Sequence, residues 1–378
     1  MNGKIAWWTP RICGGERELI EEVLKSNYIN DGEVTRSFEQ KIAQLLEVKH
    51  AIAVPSGTAA ITAALRAVGV RAGDEVLVPD ITFIATANAV SILGARPVLV
   101  DVDERTLNLD PEAMRRAITP RTRAIVPVHV SGRGAAMEDI LSIAGPKGIP
   151  VVEDAAEGFR SRYQGRYLGT FGNAGCFSFS PNKTITTGQG GVVVTNDDDL
   201  YQTLRELKDQ GRPVPGTGGD DIHNSAGFNF KFTNLQAAVG LGQLKCLEER
   251  MERMRSIYRI YAHRLSNLPG VRLPGFDVDK GECPQWTDAI VEQRDELDDY
   301  LLSQNIHCRR FWFPLHTQAP YRLPDENFPV STRVARKALW LPSAFTMTDA
   351  EAETVCEQIA GFLANPHAHA ALSESLSV

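Results

Sequence analysis

Lys183 stands in the run Phe177-Ser178-Phe179-Ser180-Pro181-Asn182-Lys183-Thr184-Ile185-Thr186-Thr187-Gly188-Gln189-Gly190-Gly191. A strand-like stretch at 175–180 leads into a Pro/Asn turn that carries the lysine, and a second β-rich stretch, 191–195, follows the glycines. A primary amine on a strand end, among hydroxyls and glycines, suits imine chemistry with a carbonyl beside a phosphate site. The same pattern also describes an ordinary turn lysine, so its partners decide.

Four other places could supply those partners. Ser56-Gly57-Thr58-Ala59-Ala60 is a small-residue turn between a strand and a helix. Free N–H groups and the dipole at a helix start favour a phosphate there, although Ser56 also fits a plain N-cap. Asp154 follows the buried strand-like stretch 150–152. A carboxylate at that strand end either pairs with a protonated ring nitrogen or caps the next turn. Phe83, after a strand, either stacks on a flat ring or joins the core. The loop 227–236, with Asn229 and Lys231 among aromatics, suits phosphate or sugar contacts, or is a loop capped by Asn234. A lysine nucleophile, a carboxylate, a stacking aromatic and a phosphate cradle together are what pyridoxal phosphate requires of a protein.

The elements that must position these groups alternate in type. Strands are expected at 51–54, 75–78, 97–100, 124–128 and 150–152, with helices at 59–68 and 85–93 between them. Strands apolar on both faces, separated by helices, indicate a mainly parallel sheet covered on both sides. Ligands then bind at the carboxyl ends of the strands, where the motifs fall. A helical pattern from 234 to 268, with Leu241, Leu244, Leu247, Met251 and Met254 at three- to four-residue spacing, is expected as one long helix ended by Pro269-Gly270. Beyond it, strands at 287–292 and 307–311 and helices at 294–303 and 348–363 read as a small α+β domain. The expected division is 1–245 for a large α/β domain and 246–378 for the small one, with a frayed tail from about 364.

Composition narrows the class. The chain has 378 residues, 43% of them hydrophobic, and a net charge of −7, with no Lys/Arg-rich block. A phosphate-tracking nucleic-acid surface is not expected. The six cysteines are scattered without a CxxC pair, which argues against a zinc site or a disulfide framework and suits a reducing compartment. No apolar run approaches the length of a membrane span. A cytoplasmic protein is expected, with no metal and no membrane partner.

The segments PSGTAAITAAL (55–65), GDEVLVPDITFIATANAV (73–90), PVLVDVD (97–103), VEDAAE (152–157), FSFSPNKTITTGQGGVVVTND (177–197), GFNFKFTNLQAAVGLGQL (227–244) and FPLHTQAPY (313–321) resemble, in order, the DegT/DnrJ/EryC1/StrS family of sugar aminotransferases. The resemblance implies a fold-type I, aspartate-aminotransferase-like α/β subunit that binds pyridoxal 5'-phosphate, and a homodimer with shared active sites. Lys183 then carries the internal aldimine and the proton, and Asp154 pairs with the pyridine nitrogen. Phe83 stacks on the ring, and Glu157, where many relatives have Gln or His, lies near the ring oxygen. Gly57, Thr58 and Ser178 hold the phosphate, and Asn229 reaches the phosphate in the neighbouring subunit. A lysine at 183, where a dehydrating branch has histidine, implies amine transfer. The motifs most resemble GDP-perosamine synthase-like 4-aminotransferases. The expected reaction is ping-pong transfer from L-glutamate to a nucleotide-linked 4-keto-6-deoxy sugar. Arg309, Arg310 and His316 are candidates for substrate phosphates or the donor carboxylate. The alternatives are a free keto-cyclitol or other keto-sugar as acceptor, or a non-catalytic cofactor-binding regulator. Gln189, Pro55 and Ser131-Gly132-Arg133 depart from the family pattern.

Overall fold

The computed structural model describes residues 3–214 and 221–364. The tail expected to fray falls almost entirely outside them. Two helices, α1 (Glu16–Lys25) and α2 (Glu33–Leu46), precede the first strand. Strands and helices then alternate as β1 (His50–Val54), α3 (Gly57–Ala67), β2 (Glu75–Pro79), α4 (Ala85–Ile92), β3 (Arg96–Val100), α5 (Pro111–Ala117), β4 (Thr122–Ile125), α6 (Met137–Ala144) and β5 (Val152–Asp154). A short hairpin, β6 (Arg162–Tyr163) and β7 (Arg166–Tyr167), leads to β8 (Ala174–Ser178), β9 (Gly191–Thr195) and α7 (Asp198–Lys208).

These strands make one surface. One sheet runs β1-β9-β8-β5 and another β3-β2-β4. Parallel bridges Ile125↔Val151 and Val128↔Asp154 join them. Apart from the separate antiparallel hairpin β6-β7, all pairings are parallel except those of β9, which runs antiparallel to both β8 and β1. The reversal has a local cause. No crossover helix separates β8 from β9; the chain turns straight back through 179–190, and a direct return yields an antiparallel pair. Lys183 lies on that return.

The sheet is buried on both faces because its strands alternate between two apolar layers. From β1, Ile52 and Val54 pack with Ala60, Ala64 and Val193 on the α3 side. Ala51 and Ala53 pack with Phe38, Ile42, Val192 and Val194 on the α2 side. Each buried valine of β9 contributes about 2 kcal/mol by leaving water.

The helical pattern expected as one rod is two helices, α8 (Asn234–Leu244) and α9 (Leu247–Leu265). The ladder tightens at the break: the N–H groups of Lys245 and Cys246 donate to the carbonyls of Gly242 and Gln243, three residues back. Helix α8 sits hard against α1 and α2. A Cβ at Gly240 would lie 2.6 Å from the Phe38 ring, and one at Gly242 would lie 2.5 Å from Glu16 Cγ. Helix α9 turns away towards a second sheet. The N-cap of α8 is Thr233 in a capping box with Gln236, rather than Asn234, whose side chain instead accepts from Thr35.

The second sheet runs β10 (Val271–Arg272), β11 (Thr287–Val291), β13 (Ala338–Leu341), β12 (Arg309–Arg310), all antiparallel. The strand expected at 307–311 is only the two-residue β12. Helices α10 (Arg294–Ser303), α11 (Pro329–Ala335) and α12 (Asp349–Ala364) accompany this sheet. Among the described residues no helix is long and apolar enough to cross a membrane.

Candidate active site

The carboxyl ends of β1, β2, β5 and β8 converge on one cavity of about 410 Å³, the edge at which ligands enter such sheets. Eight of the residues singled out in the sequence line it: Gly57, Thr58, Phe83, Asp154, Glu157, Ser178, Lys183 and Arg309. Asn229, Arg310 and His316 do not.

One wall is the start of α3. Ser56 Oγ accepts the N–H of Ala59 at 3.1 Å, so Ser56 is an N-cap. The N–H groups of Gly57 and Thr58 lie in the first turn, where no intrahelical acceptor exists. They open on the cavity beside the hydroxyls of Thr58, Ser178 and Ser180. Gly57 is required by proximity, since a Cβ there would stand 2.9 Å from Ser178 Cβ.

Asp154 ends β5. Its Oδ2 accepts from Thr86 Oγ1 at 2.8 Å and its Oδ1 from the N–H of Ala156 at 3.1 Å. Burial pushes its carboxyl up, while these two donors and the Lys183 charge pull it down. Phe83 remains 55% exposed and lines the cavity, so it is not a core residue.

Lys183 has only 12% of its side chain exposed. Its Nζ donates to Glu157 Oε1 at 3.3 Å and lies 4.8 Å from the Trp286 ring centroid. Glu157 Oε2 accepts the backbone N–H of Ser131 at 2.8 Å. Burial raises the Glu157 carboxyl to about 7, against the opposing pull of Lys183 and Ser131. A carboxyl poised near neutral pH beside a half-buried amine is a pair suited to proton transfer.

The three basic candidates part company. Arg309 stands in the cavity wall, its guanidinium 4.8 Å from the Trp7 ring and 5.5 Å from the Trp340 ring. Arg310, on the other face of β12, is held by Asp298 at 3.0 Å and Asp295 at 3.4 Å on α10. His316 is fully buried, with Nδ1 2.6 Å from Asp80 Oδ2 and its ring stacked on Phe328; it ties its loop to the end of β2. Asn229 is exposed and bridges to Asp209, away from its own chain's cavity. Residues that sequence reasoning did not single out complete the wall: Asn182, Trp286 and Trp312. Trp286 directly precedes a strand, where an aromatic reads as core.

The donor set fits pyridoxal phosphate. Helix-start N–H groups with hydroxyls suit a phosphate, the buried Asp154 suits a cationic ring nitrogen, and the glycine at 57 leaves room for close approach.

The DegT/DnrJ/EryC1/StrS aminotransferase family profile matches residues 11–360. The chain is 36% identical over 360 residues to the GDP-perosamine synthase of Escherichia coli O157:H7, covering 94% of this chain and 97% of that one. It is 37% identical to the GDP-perosamine synthase of Caulobacter vibrioides, over 93% of this chain and 96% of that one. The crystal structure of DesI with its TDP-sugar product superposes with a TM-score of 0.90 at 29% identity, covering 99% of this chain and 96% of the other.

Proposed function

This chain belongs to the DegT/DnrJ/EryC1/StrS aminotransferase family, and from that premise we propose that it moves an amino group from L-glutamate to a nucleotide-linked 4-keto-6-deoxy sugar. It is a pyridoxal-phosphate-dependent transferase. The convergence of Lys183, Glu157 and Asp154 on one cavity at the start of α3 carries the catalytic reading. Likeness to two GDP-perosamine synthases over nearly the whole chain supports the sugar acceptor.

Bound pyridoxal phosphate supplies the electron sink for a carbanion. The chain supplies the rest. The N–H groups of Gly57 and Thr58 and the hydroxyls of Thr58 and Ser178 would hold the phosphate. Asp154, as a buried carboxylate, would keep the ring nitrogen protonated. Phe83, in the cavity wall, would cover one face of the ring. Lys183 Nζ, as a free amine, takes the proton from the donor's α-carbon, and Glu157 Oε1 governs the charge of that nitrogen. Arg309, without an ion-pair partner among the described residues, binds the donor carboxylate or the acceptor diphosphate.

We read the active enzyme as a homodimer. Asn229 is exposed and outside its own cavity, which supports a role at the partner's site. The N-terminal segment exposes Ile12, Leu24, Tyr28 and Ile29, apolar surface that a second copy would cover. All six cysteines are free thiols, in keeping with a cytoplasmic setting.

The test loads the enzyme with pyridoxamine phosphate and adds a panel of nucleotide-linked 4-keto sugars. Regeneration of the pyridoxal absorption by one of them is expected. Regeneration by a free keto-cyclitol alone would replace the acceptor named here. Sedimentation at micromolar concentration should give twice the 41.5 kDa of one chain; an active monomer would remove Asn229 from the site.

A further inference from the structure

Behind Lys183 and Glu157 lies a four-residue segment that contacts the Lys183 turn directly and Glu157 through Ser131. Gln285 reaches the Lys183 turn: its Oε1 accepts from Thr184 N–H at 3.0 Å and Thr184 Oγ1 at 2.7 Å, and its Nε2 donates to Asn182 O at 3.2 Å. The residues on either side of Lys183 are therefore pinned by one side chain. The Gln285 backbone N–H donates to Ser131 O at 2.8 Å. Trp286 lies beneath Lys183 Nζ. Asp288 is fully buried; its Oδ1 accepts from Ser131 Oγ at 2.6 Å and Trp340 Nε1 at 2.8 Å, and its Oδ2 is paired with Arg133.

Ser131 is the link. It has φ 55° and ψ 16°, the left-handed region that a non-glycine residue avoids without an anchor. That conformation aims its N–H at Glu157 Oε2. The anchor is the Oγ bond to Asp288. Next to it, Gly132 has no room for a side chain: a Cβ would lie 2.3 Å from Cys283 O and 2.9 Å from Glu157 O.

We propose that the Gln285–Asp288 segment is the positioning element of this site, setting through Ser131 and through the Lys183 turn the distance at which Glu157 meets Lys183. Asp288 and Gln285 are positioning residues: the reacting groups are Lys183 and Glu157. The inference rests on reading Lys183 as the proton-carrying amine, but its test needs no turnover.

The test reads Lys183 in the cofactor-free protein. Acetic anhydride labels free amines, and peptide mass spectrometry follows Lys183 acetylation against pH. Ser131 N–H favours the Glu157 carboxylate, which in turn favours the Lys183 ammonium. Withdrawing it leaves Glu157 protonated more of the time and the amine reactive at lower pH. Asp154 and Arg309 face the same cavity, with the pairs Arg133–Asp288 and His129–Glu153 behind it; the Ser131 hydroxyl also bonds Asp288, but both variants lose it equally. Ser131→Ala loses the anchor in a conformation alanine resists, so Lys183 labelling at pH 7, relative to an exposed lysine, should rise by about twofold as the Glu157 carboxylate loses the equivalent of one hydrogen bond. Ser131→Gly loses the same hydroxyl, but glycine adopts this conformation freely, so its labelling rate should stay within about 20% of the wild type. An unchanged rate in Ser131→Ala, or equal changes in both variants, would overturn the proposal even if both melt earlier. For the other arm, Gln285→Met should speed Lys183 labelling at pH 9 several-fold relative to an exposed lysine; an unchanged rate would remove Gln285 from the element. In glutamate turnover, Ser131→Ala should lower kcat with KM held.

Discussion

The Glu157 carboxyl offers the sharpest quantitative test. Burial raises it from an ordinary 4.5 to about 7 in the cofactor-free protein. The unfolded chain gives up this proton near 4.5, whereas the folded chain keeps it to about 7. Between those values the folded state binds more protons, so stability falls as pH rises through the window. The contribution is greatest below 4.5 and levels off above 7. The full swing corresponds to about 3 kcal/mol. For a chain of 378 residues that is roughly 4 °C in Tm. Glu157→Gln keeps the shape but cannot titrate. Asp80, Glu282 and Asp288 are also raised, are common to both proteins and cancel in the difference; Asp154, whose charge raises Glu157, is relieved of that repulsion in the variant, which adds to the divergence. Thermal unfolding of cofactor-free wild type and variant from pH 4.5 to 8.5 should therefore diverge, the variant gaining on the wild type as pH rises. Parallel curves would refute the reasoning, because they would mean that Glu157 titrates as an ordinary surface carboxyl.

Further outcomes follow from the same geometry. Lys183→Ala should abolish the visible absorption of the lysine-bound cofactor and lower turnover by about a thousandfold or more, as loss of a general base does; absorption spectra and steady-state rates check it. Asp154→Asn should slow the glutamate half-reaction by about a hundredfold while the cofactor still binds, read by stopped-flow absorbance. Arg309→Ala should raise KM for one substrate by about ten- to a hundredfold, the loss of a charge-assisted contact, whereas Arg310→Ala should stay within about threefold. Steady-state kinetics of the two variants separates the adjacent arginines. In mixed dimers of Lys183→Ala and Asn229→Ala chains, half of the sites in a heterodimer should regain function if Asn229 serves the partner's cavity.

What was legible in the sequence follows from locality. Asp154 ends a strand and Lys183, Phe83 and Gly57 follow one, and strand ends meet at one edge whatever the remaining fold does. The extent of α10, 294–303, follows from short-range periodicity, whereas the stretch 191–195 was legible as a strand but not as a reversed one. The break between α8 and α9 was not legible, because the apolar repeat runs on through residues 245–246 with its phase nearly kept. Arg309 and Arg310 show a different limit. Adjacent residues on a strand point to opposite faces, so only one of them can enter the cavity. The choice is made by pairing with β13, which places Arg309 opposite Trp340. His316 meets Asp80 across 236 positions and Ser131 meets Asp288 across 157, separations at which no pattern in the intervening chain identifies the partner.

The electrostatics explain why so much structure surrounds one lysine. Asp154 and Glu157 are both buried, and Lys183 is the one ammonium between them. Two carboxylates against one cation leave an excess negative charge in a low-dielectric site, which is costly unless a proton is retained. Burial raises both carboxyls, Glu157 to about 7, so a proton is retained between them near neutral pH. A protonated ring nitrogen against Asp154 would add the missing positive charge and let Glu157 ionise beside Lys183. The same lysine would then sit in two electrostatic settings, with a neutral neighbour before the cofactor arrives and a charged one after. The distance between Lys183 Nζ and Glu157 Oε1, 3.3 Å, controls how strongly the two settings differ, since the interaction falls with separation and with any water admitted between them. A site whose chemistry depends on that one spacing needs both ends held. The lysine is on the β8–β9 return and the glutamate follows β5, so neither strand can hold both. The Gln285–Asp288 segment, which runs into the second sheet, bonds to the lysine's turn directly and to the glutamate through Ser131.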